Sequence, residues 1–111
     1  METVFHKIIR GEVSAEKIYE DERVLVIRDI HPKAPVHLLL LPKDKDISSI
    51  KEITDDDKEI IGNLFVTARK VAEKQGLAGY KLTFHVGREG GQEVDYLHLH
   101  LLGGWDKEHP R

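Results

Sequence analysis

One segment of this sequence carries a distinctive alternating pattern, Val94-Asp95-Tyr96-Leu97-His98-Leu99-His100-Leu101-Leu102. Successive side chains of a β-strand point to opposite faces of a sheet, so every second residue shares a face. The pattern therefore predicts a strand with an apolar face made of Leu97, Leu99 and Leu101. The opposite face carries Val94, Tyr96, His98 and His100. We expect a hydrophobic core on one side of this strand and two neighbouring imidazoles on the other.

The His98 and His100 pair suits chemistry at a phosphorus atom. Desolvation and mutual repulsion favour neutral imidazoles, which leaves a lone pair on one ring nitrogen free to attack an electrophile near neutral pH. A bound phosphate anion acts in the opposite direction. It favours protonation of one ring, as a departing amine or alcohol requires.

Two imidazoles at positions i and i+2 of a strand also suit a zinc or iron ion. A metal-binding strand of the cupin type carries a glutamate soon after the histidine pair, whereas this chain continues Leu101-Leu102-Gly103-Gly104-Trp105. We therefore favour a nucleophilic or phosphate-binding pair over a metal site. The three histidines interpreted as structural or surface residues are His6, His31 and His109.

The composition limits the class of protein. The chain has 111 residues, no cysteine, seven histidines and a net charge of −3, which predicts one domain spanning residues 1–111. Without cysteine there is no disulfide framework, thiolate zinc site or cysteine nucleophile. The slightly negative charge disfavours nucleic acid as a partner. The longest apolar run, residues 36–41, is far shorter than the ~20 residues of a membrane span. Because the N-terminus also lacks a signal-peptide pattern, we expect a cytoplasmic protein with no membrane partner.

The remaining patterns predict an α+β domain. A short helix is expected over residues 3–10, a hairpin over 17–20 and 23–29, and a central strand, buried on both faces, over 36–41. A long helix from 54 to about 75 has an apolar stripe that packs on a sheet. Its members are Ile60, Ile61, Leu64, Phe65, Ala68, Val71 and Ala72. Strands over 80–86 and 94–102 flank a glycine-rich loop at 87–91. Five strands and one long helix without regular alternation indicate a mostly antiparallel sheet.

Residues 90–104 resemble the signature of the histidine-triad superfamily, and specifically its Hint-like branch of purine nucleoside phosphoramidate hydrolases. The resemblance extends over nearly the whole chain, through residues 4–12, 29–37 and 41–43 and the long helix. It implies a homodimer whose sheets join into one, with the long helix near the interface. It also implies a purine nucleotide substrate of the AMP or GMP type and neither a cofactor nor a metal.

The resemblance assigns the reaction to two histidines. His98 takes the position of the residue that attacks the α-phosphorus and forms a covalent nucleotidyl-histidine, which water then hydrolyses. His100 takes the position that contacts the phosphate and the leaving group.

The resemblance also assigns the nucleotide-binding positions. Asp29 corresponds to the acidic residue that holds the ribose hydroxyls. The apolar slot for the purine consists of Phe5, Ile8 and Ile30. His85 stands where these proteins usually carry an asparagine near the ribose and phosphate. The loop residues that approach the phosphate are Gly91, Gln92 and Glu93.

The first triad position holds Tyr96 instead of histidine. The backbone carbonyl of this residue can still accept a hydrogen bond from one ring nitrogen of His98, so activity is expected to survive. An outer relay through this position to His37 is altered, and both residues are assigned supporting roles. Two other hypotheses remain open at this point. One is a catalytically weakened purine-nucleotide-binding module that acts through protein partners, and the other is a histidine-rich metal protein.

Overall fold

The computed structural model describes residues 2–108. The helices and strands, in chain order, are α1 (Val4–Ile9), β1 (Lys17–Glu20), β2 (Val24–Arg28), β3 (Val36–Pro42), α2 (Lys58–Lys74), β4 (Tyr80–Thr83) and β5 (Leu99–Gly103). Short 3₁₀ turns lie at Ile50–Glu52, Asp55–Asp57 and Arg88–Gly90. This is the α+β architecture that the sequence predicts. Neither helix within residues 2–108 is long and apolar enough to cross a membrane.

The five strands form one sheet in the order β1-β2-β3-β5-β4, and every neighbouring pair is antiparallel. The predicted hairpin is β1 and β2. The apolar strand β3 lies at the centre and is buried on both faces, as predicted. Its register with β5 places His37 opposite Leu102 and Leu39 opposite His100. This register brings a histidine of β3 beside the histidine strand.

Each face of the sheet is covered by one helix. On one face, α2 packs the buried residues Leu64, Ala68, Val71 and Ala72 against apolar side chains that include Leu38, Leu40, Leu97, Leu99 and Leu101. On the other face, α1 contributes Phe5 and Ile8 to a second cluster that includes Leu25, Ile27, Leu39, Leu41 and Tyr96. The predicted division of the histidine strand into a leucine face and a tyrosine face is confirmed.

A threonine caps the start of α1 and the start of the 3₁₀ turn that leads into α2. The hydroxyl of Thr3 accepts a hydrogen bond from the backbone N–H of His6, and Nδ1 of His6 accepts one from the backbone N–H of Thr3. Thr54 caps the 3₁₀ turn at Asp55–Asp57, which runs directly into α2, so the regular α-helix begins later than the predicted residue 54. The prediction that the apolar stripe of the long helix packs on the sheet is wrong for Phe65. Its side chain is 40% exposed and contacts the ring of Phe84 instead of the core.

The strands β4 and β5 are shorter than the predicted strands over 80–86 and 94–102. The pairing of β3 with β5 stops at Leu40 and Leu99; two residues further the same register would set Leu97 against Pro42, which has no N–H to donate to a ladder. The N–H of Leu97 bonds instead to the carbonyl of Ile47. The ladder of β5 therefore begins at Leu99, and β4 ends at Thr83, opposite His100.

Candidate active site

His98 and His100 lie side by side on the α1 face of the sheet. Their ring centroids are 4.9 Å apart, and each residue is only 8% exposed. The ring of Phe5, held by α1, packs edge-on against His98 at 5.0 Å. The strand therefore presents both imidazoles in a largely desolvated environment, as the alternating sequence predicts.

The hydrogen bond of His98 fixes its tautomer. Nδ1 lies 2.6 Å from the backbone carbonyl oxygen of Tyr96. A carbonyl oxygen only accepts, so Nδ1 carries the hydrogen and Nε2 of the neutral ring keeps its lone pair. Burial lowers the pKa of His98, and the carbonyl of Tyr96 opposes this shift only in part. His98 is therefore neutral at pH 7, with Nε2 available as a nucleophile.

A chain of hydrogen bonds fixes the tautomer of His100 as well. The backbone N–H of Lys33 donates to Nδ1 of His37 over 3.0 Å, so His37 carries its hydrogen on Nε2. That Nε2 lies 2.9 Å from Nδ1 of His100, which must accept. The hydrogen of His100 is then on Nε2, which is buried and has no partner within residues 2–108. A buried unpaired donor is costly and marks a position prepared for a ligand.

The electrostatics of the site keep the imidazoles uncharged. Burial, followed by the neighbouring His98, His85 and His37, lowers the pKa of His100 to about 3. Burial also lowers the pKa of His37, although the carboxylate of Asp29 acts in the opposite direction. One oxygen of that carboxylate is 3.4 Å from Nε2 of His37. Asp29 can therefore compensate a positive charge when the His37–His100 pair takes up a proton.

His85 joins the cluster from the segment that follows β4. Its ring stacks on His100 with centroids 4.2 Å apart and an interplanar angle of 25°. A Cβ atom at Gly91, where φ is +89°, would lie 3.7 Å from Nδ1 of His85, so the glycine loop passes close to this ring. The structure thus brings His85 and His37 to the predicted catalytic pair.

The loop before the histidine strand is held by Gln92, whose side chain is buried. Its Oε1 accepts from the N–H of Gly87, and its Nε2 donates to the carbonyls of Ser48 and Val94. The polar atoms of this side chain therefore brace the loop, and the predicted contact of Gln92 with a nucleotide stays a prediction. Glu93 is exposed beside it. Sequence reasoning missed Arg88, which donates to the carbonyl of Gln92 and to Asp95.

Of the residues predicted to bind the base and ribose, Phe5 contacts His98 and Asp29 faces His37. Phe5 and Ile8 are buried under α1, whereas Ile30 is 83% exposed. Asp29 is half-buried; one carboxylate oxygen accepts from the N–H of His31, and the other faces His37. The surroundings of the histidines thus include the ring of Phe5 and a carboxylate.

Tyr96 has a structural position. Its side chain is buried, its hydroxyl donates to the carbonyl of Pro42, and its ring packs edge-on against Phe5 and His6. Burial raises the pKa of Tyr96 to about 12, so the hydroxyl stays protonated. The nitrogen that faces Nε2 of His37 belongs to His100 and not to residue 96.

The other histidines lie away from this chemistry. His6 forms part of the α1 cap and also contacts Asp46, and His31 is exposed. His109 lies outside the described residues. The carboxylate that the sequence lacked next to the histidine pair comes from Asp29: ligand atoms of Asp29, His37 and His100 all lie within 4.8 Å of one another. Two imidazoles and a carboxylate are a donor set that zinc accepts.

The antiparallel sheet and its two buried histidines define a domain of the histidine-triad type. Comparison with known proteins supports this classification. Residues 2–109 match the family described as scavenger mRNA decapping enzyme C-term binding. The chain is 41% identical over 105 residues to the purine nucleoside phosphoramidase of Escherichia coli K12, covering 93% of this chain and 87% of that protein.

Solved structures show the same relationship. The HIT family hydrolase from Legionella pneumophila aligns with a TM-score of 0.91 and 47% identity, covering 95% of both chains. A histidine triad protein from Clostridium difficile aligns over 100% of both chains with a TM-score of 0.89 and 37% identity. The chain belongs to the histidine-triad superfamily.

Proposed function

We propose that the protein hydrolyses the P–N bond of purine nucleoside 5′-phosphoramidates, releasing a nucleoside monophosphate and an amine. The observation that carries the proposal is the pair of complementary tautomers at His98 and His100. His98 has a free lone pair on Nε2, and the neighbouring His100 has an unpaired N–H. The name of the relative in E. coli, purine nucleoside phosphoramidase, supports this choice of substrate class.

In the first step, Nε2 of His98 attacks the phosphorus. A bond forms between Nε2 and phosphorus, the P–N bond breaks, and the departing nitrogen takes a proton from Nε2 of His100. The bound phosphate favours an extra proton on Nδ1 of His100 beforehand; the Nε2–H of His37 is then directed at the carboxylate of Asp29, which compensates the charge. The nucleotidylated ring of His98 is a cation, which its hydrogen bond to the carbonyl of Tyr96 stabilises.

In the second step, water attacks the phosphorus of the nucleotidyl-histidine. Nε2 of His100, now holding a lone pair, takes one proton from that water. The bond between phosphorus and Nε2 of His98 breaks, and its electron pair returns to the ring. One water is consumed, and both histidines regain their starting protonation states, so a single imidazole serves first as acid and then as base.

The nucleotide lies across the α1 face. Asp29 accepts hydrogen bonds from the ribose hydroxyls, and the purine packs between the wall made by Phe5 and Ile8 and the exposed Ile30. His85 and the loop at Gly91, Gln92 and Glu93 border the phosphate. In support of this arrangement, Phe5 packs against His98, His85 stacks on His100, and a carboxylate oxygen of Asp29 faces His37.

The decisive experiment incubates the protein with adenosine 5′-phosphoramidate in EDTA and measures AMP release. His98→Asn keeps a donor for the carbonyl of Tyr96 but has no nucleophilic nitrogen, so turnover should fall at least about a thousandfold. His31→Asn, at an exposed histidine, is the matched control and should keep full turnover. Acid-quenched protein should contain a nucleotidylated peptide that includes position 98. Unchanged turnover in His98→Asn would sink the mechanism.

The alternative is a nucleotide-binding module that has lost catalysis because Tyr96 replaces the first triad histidine. It predicts AMP binding without AMP release from the phosphoramidate. The bond from His98 to the backbone carbonyl of Tyr96 argues against it, because this interaction does not depend on the side chain at that position. Recovery of turnover in Tyr96→His alone would favour the alternative.

The protein acts as a homodimer joined through the edge of β4. This strand ends the sheet on one side, and an unpaired edge needs a cover. Beside it, the exposed Phe65 and Val66 of α2 continue into Phe84, whose ring lies 5.9 Å from that of Phe65. An apolar patch next to an open strand edge suits an isologous interface. A monomeric mass in light scattering would contradict the dimer.

A further inference from the structure

The imidazole of His6 contacts three different segments of the chain, and the proposed chemistry uses none of these contacts. Nδ1 lies 2.8 Å from the backbone nitrogen of Thr3, the residue that caps α1. Nε2 lies 2.9 Å from a carboxylate oxygen of Asp46, in the loop that follows β3. The ring packs edge-on against Tyr96, with centroids 4.8 Å apart and an interplanar angle of 89°. His6 therefore joins α1 to the loop after β3 and to the segment that precedes β5.

The polar contacts of His6 use both nitrogens of a neutral imidazole. The backbone N–H of Thr3 only donates, so Nδ1 accepts, and the hydrogen of the ring lies on Nε2, which donates to Asp46. The N–H of His6 donates in turn to the hydroxyl of Thr3, which completes a capping box. The residue that accepts from the cap in such a box is usually glutamate or glutamine. A histidine in this position also reaches residues outside the helix.

The helix that His6 anchors carries side chains of the proposed nucleotide site. Phe5 and Ile8 are the buried residues of α1. Phe5 also packs edge-on against His98, with centroids 5.0 Å apart. The helix has only six residues, and a helix this short is not stable by itself in water. Because the entropy lost on ordering this segment offsets the burial of two side chains, the docking of α1 depends on its cap contacts.

The hydrogen bonds of Tyr96 limit what His6 can affect. The backbone carbonyl of Tyr96 accepts from Nδ1 of His98, and the hydroxyl of Tyr96 donates to the carbonyl of Pro42. Neither bond includes α1, so the lone pair on Nε2 of His98 persists when α1 moves away from the sheet. Loss of the His6 contacts should therefore weaken nucleotide binding against α1 and leave the bond changes at phosphorus unaffected.

We propose that His6 is a positioning residue of the nucleotide site, whose imidazole holds α1 against the sheet and so keeps Phe5 and Ile8 in place for the purine. The inference rests on the proposed function, and His6 acts through α1 without contact to the substrate. When only a fraction of the molecules has α1 docked, the apparent dissociation constant rises in inverse proportion to that fraction. A defect in docking is therefore visible as a higher KM.

Three substitutions of His6 separate its contacts. His6→Ala removes all of them, so KM for adenosine 5′-phosphoramidate should rise roughly fivefold while kcat stays within about twofold. His6→Gln offers one acceptor and one donor, as the neutral imidazole does, and should restore KM to within about twofold. His6→Phe keeps a ring beside Tyr96 without the polar contacts and should resemble His6→Ala. Lys7→Ala, at an exposed residue of the same helix, is the matched control and should leave KM unchanged.

Binding of AMP, measured by calorimetry, gives a second readout that does not require turnover. The unaltered protein and His6→Gln should bind AMP more tightly than His6→Ala and His6→Phe. An unchanged KM in His6→Ala, or a rise that His6→Gln does not reverse, would overturn the inference. So would a loss of kcat at constant KM, because a role in global folding alone lowers the amount of active protein. If the unaltered protein binds AMP without cleaving the phosphoramidate, the proposed reaction has failed, and the AMP series alone decides the role of His6.

Discussion

The two faces of the central sheet bury side chains of different chemistry, although the same two strands supply both. Toward α2, the two strands bury leucines that include Leu38, Leu99 and Leu101. Toward α1, the same strands bury His37, His98 and His100 next to Leu39 and Tyr96. The face toward α2 is stabilised by the burial of apolar surface. On the face toward α1 part of this stabilisation is lost, because burying polar imidazoles costs free energy.

The difference shows how a small domain separates stability from chemistry. A buried imidazole must find a hydrogen-bond partner or remain a cost. On the α1 face, His98 and His37 find backbone partners, and His100 keeps one unpaired N–H. The α2 face and its well-packed leucines hold the strands in place while that cost persists. Substitutions on the α2 face should therefore change mainly stability. Substitutions of the histidines on the α1 face should change activity or the pH dependence of stability.

The largest expected effect on stability is Leu64→Ala on α2. This side chain is fully buried, and truncating a buried leucine costs about 3 kcal/mol in transfer and cavity energy. Denaturant unfolding should show this loss, while kcat and KM on adenosine 5′-phosphoramidate stay within about twofold because the histidine geometry is set on the other face. Val13→Ala, at an exposed valine, should change stability by less than about 0.5 kcal/mol. A large loss of kcat in folded Leu64→Ala would refute the separation of the two faces.

A pH-dependent effect of intermediate size comes from His100. Above pH 6.5 this histidine is neutral in both the folded and the unfolded chain, so it adds no pH dependence. Below pH 6.5 this histidine binds a proton in the unfolded chain. In the folded chain it stays neutral down to its lowered pKa of about 3. The unfolding free energy should therefore fall on acidification by about 1.4 kcal/mol per pH unit from this group, or about 2 kcal/mol between pH 6.5 and pH 5.

The comparison with His100→Gln isolates this contribution from the other titrating groups. The difference in unfolding free energy between the two proteins should shrink by that amount over the same pH interval, because only the unaltered chain carries this titrating histidine. Parallel stability curves for the two proteins would show that His100 is not held neutral by the fold.

The sequence alone predicts most of the apolar face. The alternating leucines of the histidine strand and the helical stripe around Leu64 and Ala68 have periods of 2 and 3.6, which correspond directly to a strand and a helix. Phe65 is the exception, because periodicity does not distinguish a side chain in the core from one at the margin of the stripe. The residue at which the histidine strand begins is also not predicted, since the proline that limits it, Pro42, belongs to the neighbouring strand β3.

The histidine face is less predictable because its determinants are tertiary. The sequence identifies His98 and His100 by their spacing, and the family resemblance adds Asp29, His37 and His85. The N–H that orients His37 belongs to the backbone of Lys33, which leaves no trace in side-chain type. The resemblance places Gln92 in the loop that approaches the phosphate, but its side-chain amide also bonds the N–H of Gly87 and the carbonyls of Ser48 and Val94, which only folding brings together.

The smallest and most discriminating effect is expected from Tyr96→Phe, because residue 96 contributes to stability through its side chain and to the geometry of the active site through its backbone. Its hydroxyl bonds to Pro42, and its backbone carbonyl orients His98. Removing the hydroxyl leaves the Pro42 carbonyl short of a partner and should lower the unfolding free energy by about 1 kcal/mol. The backbone carbonyl remains, so kcat should change less than about twofold, a small fraction of the loss that a missing general acid or base causes. If kcat instead falls tenfold or more, the tyrosine hydroxyl contributes to catalysis, and the first triad position has kept a chemical role despite losing its imidazole.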